Sequence, residues 1–270
     1  MKIYHTMLSA VCAVVAAGSA SAAVSYNFNS ETDFDFFTGG GVSGWSQDQA
    51  NPSIGSVVRP MAFIENATFA GTASFAGHLG TEVANLSPSA TTTLTGSLTG
   101  AGAVSNSRVS LNFAIADSVT SGLLTRDSFE IAILDDTSSE LAALLFTADP
   151  ASSTTWKISY RLAGGMLVDT ASTAIAGSGY FLAFDFSDTT GKISYGTATA
   201  GVGTNLIGEG ALTSADDLGA INISHIPVAA EGTSVNKIIF DNINAATTVP
   251  EPSSALLLAL GGLALIRRRR

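Results

Sequence analysis

The sequence predicts an all-β protein whose body is a single antiparallel β-sandwich. Three observations predict this fold class: apolar residues alternate with polar ones along many segments, turn-forming clusters separate those segments at short intervals, and helical periodicity does not recur between them. Alternation of this kind places one face of each strand against a core and the other face towards solvent. Antiparallel sheets with one hydrated face are the expected product.

Three segments show the alternation most clearly, each with four large apolar residues on one face. They are Val109, Leu111, Phe113 and Ile115; Trp156, Ile158, Tyr160 and Leu162; and Tyr180, Leu182, Phe184 and Phe186. Two stretches, at 212–220 and within 73–85, are candidates for short helices, but they are too few to connect parallel strands. We therefore expect one domain at 23–248, a two-sheet sandwich of jelly-roll, lectin-like type with about ten or more strands.

The first 22 residues have the layout of a secretory signal peptide, here predicted to form a signal helix. Lys2 precedes an apolar run, and Ala20 and Ala22 provide a small-x-small cleavage site. We expect the export machinery to recognise this segment and signal peptidase to cut it after Ala22. The only cysteine, Cys12, is lost with it. The mature chain then has no thiol for a disulfide, a nucleophile or a zinc site.

The mature body is strongly acidic. Residues 23–249 hold seven of the 12 basic residues and 21 of the 22 acidic ones, which gives a net charge of about −14 where the whole chain has −10. A surface of this charge repels nucleic acid and anionic lipid. Nucleic acid is therefore excluded as a partner.

The best lead for catalysis is the pair of closely spaced carboxylate groups in FEIAILDD, at 129–136. Strand alternation puts Glu130 on the face opposite Asp135 and about 20 Å from Asp136, whereas paired glycosidase carboxylates lie about 5 to 10 Å apart. His78 and His225 belong to no metal or triad motif. The sequence thus predicts no catalytic residue and a protein that is not an enzyme. A secreted carbohydrate-active hydrolase, with a site assembled from distant carboxylates, is the alternative.

No cofactor is required by these motifs, but a structural calcium ion is one hypothesis. Acidic turns and strand ends supply hard oxygen ligands, although none matches a calcium-binding loop. The candidates are Asp135, Asp136, Asp185, Asp188, Asp216, Asp217 and Asp241.

Trp45 is the candidate contact for a carbohydrate ligand, because it lies in a polar, glycine-rich stretch, GVSGWSQDQ. Its alternative is an apolar plug at one end of the sandwich. A short threonine row at 91–95 is compatible with ice binding, but it reads more simply as the face of a strand.

The tail combines two prolines, an apolar run and a basic cluster. About 14 apolar residues from Ser253 to Ile266 would span about 21 Å as a helix, short of a hydrocarbon core of about 30 Å. The positive-inside rule keeps the terminal arginines in the cytoplasm and the body outside. This stop-transfer cluster is Arg267, Arg268, Arg269 and Arg270. A short hydrophobic helix that anchors the chain transiently in the inner membrane is the expectation.

In order and spacing, Pro250-Glu251-Pro252, the apolar run and the arginines resemble the PEP-CTERM sorting signal of Gram-negative bacteria, over 249–270. The resemblance implies recognition by an exosortase, a membrane protease that processes the tail near Pro-Glu-Pro. It also implies passage to the cell surface or extracellular matrix. The body then has a structural, adhesive or polysaccharide-binding role, with ice binding as a minor alternative.

Overall fold

The computed structural model describes residues 23–28, 43–48, 53–54, 57–58, 62–69, 72–81, 91–117, 126–152, 154–197, 205–212, 216–227 and 236–247. These residues form a two-layer, antiparallel β-sandwich and contain no α-helix. The all-β, two-sheet prediction is confirmed. Both terminal helices of the prediction lie outside the described residues.

Seventeen strands make up the described part of the chain. They are β1 (Ala23–Tyr26), β2 (Trp45–Gln47), β3 (Ser53–Ile54), β4 (Val57–Val58), β5 (Ala62–Phe69), β6 (Thr72–Thr81), β7 (Thr92–Ser97), β8 (Ser107–Asp117), β9 (Ser128–Asp135), β10 (Glu140–Ala148), β11 (Thr155–Leu162), β12 (Val168–Ile175), β13 (Gly179–Phe186), β14 (Thr190–Thr197), β15 (Asn205–Ala211), β16 (Leu218–Ile226) and β17 (Asn236–Thr247). Within the two stretches that were candidates for helices, residues 73–81 belong instead to β6 and residues 218–220 to β16. Hydrogen bonding to β17 and β9, respectively, holds β6 and β16 extended.

Two large sheets face each other across the core. Sheet A has the order β15-β14-β13-β8-β17-β6-β5, with β1 also paired to β17, and sheet B has the order β12-β11-β10-β9-β16-β7-β2. The short strands β3 and β4 pair with each other as a separate two-stranded ribbon. The apolar stripes found in the sequence line the inner faces, since Phe113, Trp156 and Leu182 are fully buried. Tyr160 and Leu162 are half-buried and pack at the side of the core.

One end of the core contains a group of aromatic rings that joins the two sheets. The indole of Trp45 stacks on Phe240 at 5.6 Å and meets the ring of Tyr26 edge-on at 5.4 Å. Gly96, opposite Trp45 on β7, leaves room for the indole, because a Cβ there would lie 2.7 Å from Cζ2 of Trp45. The hydroxyl of Tyr26 donates to the carbonyl of Ser97, and burial raises the pKa of that phenol. A strand of sheet A is thereby tied to sheet B.

The last strand, β17, changes partner along its length. It pairs with β6 over residues 236–240 and with β1 over residues 243–246, on the same side. A bulge at Asp241 and Asn242, where Asn242 has a φ of 52°, separates the two halves. The buried positions therefore shift from Ile238 and Phe240 to Ile243 and Ala245.

Candidate functional site

The outer face of sheet B carries polar side chains on several neighbouring strands, interrupted by Ala132, Ala143 and Leu145, and we call it the polar face. Cross-strand neighbours from β7 and β16 bond to each other there. The hydroxyl oxygens of Thr93 and Ser224 lie 3.0 Å apart, and the hydroxyl of Thr95 donates to Oδ1 of Asn222 at 2.9 Å. All four side chains alternate with residues that point to the core, which is why they lie on the outer surface and are only half-buried.

The centre of the polar face is an ionic cluster on β9, β10 and β11. Arg161 donates from Nε to Oε1 of Glu140 at 3.0 Å and from Nη2 to Oε2 of Glu140 at 2.7 Å. The same Nη2 donates to Oε2 of Glu130 at 3.0 Å. Side-chain exposure of 20 to 25% leaves the cluster accessible without full hydration. These three residues form the Glu130–Arg161–Glu140 cluster.

The electrostatics of the cluster favour a permanently charged guanidinium. The pKa of Arg161 is raised above its ordinary value, first by the hydrogen bonds to Glu140 and then by attraction to both carboxylates, against the opposing effect of desolvation. Next to the cluster, the hydroxyl of Ser159 donates to Oδ1 of Asp169 at 2.7 Å. The polar face therefore offers hydroxyl, amide, carboxylate and guanidinium groups across β7, β16, β9, β10, β11 and β12. These six strands together are about 24 Å wide, because neighbouring strands lie about 4.8 Å apart.

Sequence reasoning placed Glu130 on the outer face but missed its partners. Because one nitrogen of Arg161 binds Glu130 and Glu140, their carboxylate oxygens lie within about 6 Å of each other, inside the range of paired glycosidase carboxylates. The arginine nevertheless occupies the space between them. A substrate oxygen or a water molecule would need that space for hydrolysis. The signal in the sequence that could have revealed these partners is Arg161. It lies on the third of three consecutive antiparallel strands, β9, β10 and β11, where its side chain can reach carboxylates on the two preceding strands.

Trp45 does not lie on a surface, which corrects its interpretation as a ligand contact. Its exposure is 8%, and it packs with Tyr26, Phe28 and Phe240 in the core. The glycine-rich stretch around it serves close packing, since Gly44 has a φ of +80° and lies against the Tyr26 ring. The alternative interpretation, an apolar plug at one end of the sandwich, matches this position.

Among the acidic candidates, Asp135 is committed to the turn after β9. Its Oδ1 accepts hydrogen bonds from the backbone nitrogens of Thr137 and Ser139, at 3.0 and 2.7 Å, and from the hydroxyl of Thr137. Asp136 lies beside the segment of Asp216 and Asp217, because its backbone nitrogen donates to the carbonyl of Asp217 at 2.9 Å. All three of these side chains are exposed.

The remaining acidic candidates are separated from that turn. Asp185 accepts hydrogen bonds from Nε and Nη2 of Arg108, at 2.5 and 2.9 Å. Asp188 accepts one from Nδ2 of Asn106 at 3.2 Å. Asp241 is fully buried beside Asn242 in the bulge of β17. Within the part of the chain that the structure describes, no three carboxylate, histidine or cysteine side chains group as a metal site.

A second polar arrangement, unforeseen from the sequence, is buried at the end of the core opposite Asp135. His225 and Asp127 are joined at 2.7 Å. Beside them the guanidinium of Arg126 lies 4.2 Å from the ring centre of Trp156 and donates to the carbonyls of Ser152 and Thr155. His225 pairs across the strands with Phe129 and is fully buried. This cluster anchors the loops at that end and is closed to solvent.

The processing residues predicted from the sequence lie outside the described residues. They are Ala20, Ala22, Pro250, Glu251, Pro252 and Arg267 to Arg270. Across the ranges that the structure does describe, no helix has the length and apolar character needed to cross a membrane.

Residues 248–270 match the PEP-CTERM protein-sorting motif. A β-sandwich body therefore precedes a PEP-CTERM motif, which implies export and recognition by an exosortase-type system. No curated protein matches the chain in sequence.

Several solved structures resemble the sandwich. The CBM2 module of the evolved Dit of Lactobacillus casei BL23 phage J-1 has 8% identity and a TM-score of 0.50, over 85% of this chain and 98% of that chain. A carbohydrate esterase from Shiga toxin-encoding bacteriophage phi24B has 14% identity and a TM-score of 0.46, over 84% and 100%. Winged bean acidic lectin has 10% identity and a TM-score of 0.45, over 83% and 98%. These similarities concern the fold alone.

Proposed function

We propose that this chain is an exported, non-enzymatic protein that an exosortase system delivers to the cell surface or extracellular matrix, where the polar face binds polysaccharide. The observation that carries the proposal is the Glu130–Arg161–Glu140 cluster within the hydrogen-bonded outer face of sheet B. Charge-assisted hydrogen bonds are the strong ones, and a half-buried ion cluster offers both donors and acceptors to hydroxyl groups. Because each hydroxyl group can both donate and accept a hydrogen bond, a hydroxyl-rich polymer can use the donors and the acceptors of the cluster.

The chemistry of the cluster favours binding over turnover. Arg161 is bonded to both carboxylates, so neither is free to act alone on a glycosidic bond. On the same polar face, bonded pairs such as Thr95 and Asn222 hold their side chains in fixed positions beside the cluster. A preorganised surface loses little side-chain entropy on binding. A preorganised face that extends over six strands suits a polymer that lies across several of them.

A direct test incubates the exported chain with the extracellular polysaccharide of its host cells, with and without calcium. We expect the polysaccharide to retain the chain, with no new reducing ends released during prolonged incubation. Release of reducing ends would support the hydrolase alternative. Retention that vanishes in a chelator would identify a calcium requirement. A failure to bind under all conditions would contradict the proposal.

A further inference from the structure

The end of the sandwich from which the tail leaves is defined by one row of paired residues in sheet A. In that row Thr247 pairs with Ser107, Ser107 with Phe186, Phe186 with Gly191, and Gly191 with Gly210. Thr247 is the last residue of β17, and the sorting motif begins at the next residue. We call this end of the sandwich the exit end. Ala23, the first residue after the predicted signal cleavage, pairs with Ala246 at the same end.

The hairpin between β11 and β12 reaches the exit end from sheet B. The Leu162 side chain lies against this row, since a Cβ added to Gly210 would lie 3.0 Å from Cδ1 of Leu162, and one added to Gly191 would lie 3.2 Å from Cδ2. The chain continues past Leu162 and reverses with positive φ angles of 51° at Ala163 and 63° at Gly164. Residues 163–167 therefore project beyond the row, on the side where the tail leaves.

The tip of this hairpin is apolar and exposed. The large hydrophobic side chains exposed among the described residues are Met166, Leu167, Val168, Ile175 and Leu206. Three of these are consecutive at the tip, and Met166 has an exposure of 89%. No charged residue lies between Arg161 and Asp169. Contiguous exposed apolar residues of this kind mark a contact surface, whereas isolated ones do not.

We propose that Met166, Leu167 and Val168 contact the lipid bilayer while the sorting tail holds the protein at the membrane. This inference rests on the membrane-held stage of the proposed sorting route. From Thr247 to the start of the apolar run at Ser253 the chain spans six residues, or at most about 20 Å when fully extended. The exit end is thus kept within that distance of the membrane, and the hairpin tip shares this end.

The apolar character of the hairpin tip and its lack of charge favour lipid as the occupant. The chain has a formal net charge of −10, and its acidic surface is repelled by anionic headgroups. The same end carries the exposed Asp136, Asp216 and Asp217, which anionic headgroups repel, whereas the hairpin tip has no charge. The tip is thus a part of the exit end that these headgroups do not repel. A flexible methionine and a leucine can enter the boundary between headgroups and acyl chains.

A contact at the hairpin, separated laterally from the tail, would fix the orientation of the sandwich. The strands would stand roughly upright on the membrane with the exit end downwards. The polar face would then point sideways and stay open to polysaccharide during sorting. The Pro-Glu-Pro segment would lie next to the bilayer, where a membrane protease acts.

The test uses the full chain with Cys12→Ser, which leaves no other cysteine. An environment-sensitive fluorophore is placed at Met166→Cys, or at the control Ala151→Cys, an exposed site in the β10–β11 loop at the opposite end. Both chains are reconstituted in phosphatidylethanolamine and phosphatidylglycerol vesicles that contain nitroxide-labelled lipid. We expect quenching to be at least threefold stronger at position 166 than at position 151.

Equal quenching at the two positions, or none at position 166, would overturn the inference. A third label at Thr189→Cys, in the polar β13–β14 turn of the exit end, should be quenched less than the label at position 166. Stronger quenching at position 189 would also overturn it, because the hairpin would not be the contact. Polysaccharide retention is measured separately on the unlabelled chain. If the chain fails to bind polysaccharide while the label at position 166 is still quenched, the polysaccharide-binding proposal is contradicted and the membrane contact is not.

Discussion

Nε2 of His225 lies 2.7 Å from Oδ2 of Asp127, and the two side chains are 0% and 5% exposed. Removal of one partner leaves the other buried without its hydrogen bond, which costs about 1 to 3 kcal/mol. We therefore expect Asp127→Ala and His225→Ala each to lower the free energy of unfolding by that amount in urea titrations. The double variant should cost less than the sum of the single variants, because the interaction is lost only once. Additive effects would contradict the direct pairing.

The indole of Trp45 packs closely over Gly96, so the cost in stability of adding a methyl group at Gly96 should depend on the size of the side chain at position 45. In Gly96→Ala the new Cβ would lie 2.7 Å from Cζ2 of the indole, so we expect a loss of about 1 to 3 kcal/mol in the free energy of unfolding. The same change in a Trp45→Phe background should cost clearly less, because the smaller ring leaves room. An equal cost in both backgrounds would show that the strain arises elsewhere.

Asp135 and Asp136 are adjacent but should respond differently to substitution. Asp135→Ala removes three hydrogen bonds that hold the turn after β9, and we expect a loss of about 1 to 3 kcal/mol. Asp136→Ala alters an exposed side chain and should stay within about 0.5 kcal/mol of the parent. Thermal unfolding with and without calcium checks both. A calcium-dependent difference between the variants would support the calcium hypothesis for Asp135.

The arginine cluster at the end of the tail predicts a charge requirement for sorting. Deletion of Arg267 to Arg270 should impair membrane retention and correct processing, because nothing then holds the end of the apolar run in the cytoplasm. Replacement by four lysines keeps the charge and should preserve both. Cell fractionation and the size of the surface product provide the measurement. Normal processing of the deletion variant would refute the stop-transfer role.

Strand alternation predicted much of the fold, because each large apolar stripe needs a core. The residues around Phe113, Trp156 and Leu182 are buried as expected. Alternation also assigned Glu130 to the outer face, where the structure has it. These predictions depend only on local period and strand direction, which a sequence shows directly.

The site itself depended on register, which the sequence does not show. Glu140 reaches the cluster because the β9–β10 pairing shifts between Glu140 and Ala142, and Arg161 comes from the next strand. Trp45 was misjudged for a related reason, since polar neighbours suggested a surface while the packing partners Phe240 and Gly96 are distant in sequence. Contacts between remote strands decided both outcomes.

The central claim, that the polar face binds polysaccharide through Arg161, is tested most directly by two matched arginine variants. Arg161→Ala removes the centre of the cluster, whereas Arg108→Ala removes an arginine with the same two-point carboxylate pairing on the outer face of sheet A. Titration of each exported variant with the extracellular polysaccharide should show an affinity at least about tenfold weaker for Arg161→Ala. Arg108→Ala should bind like the parent. Unchanged binding by Arg161→Ala, or an equal loss in both variants, would contradict the account.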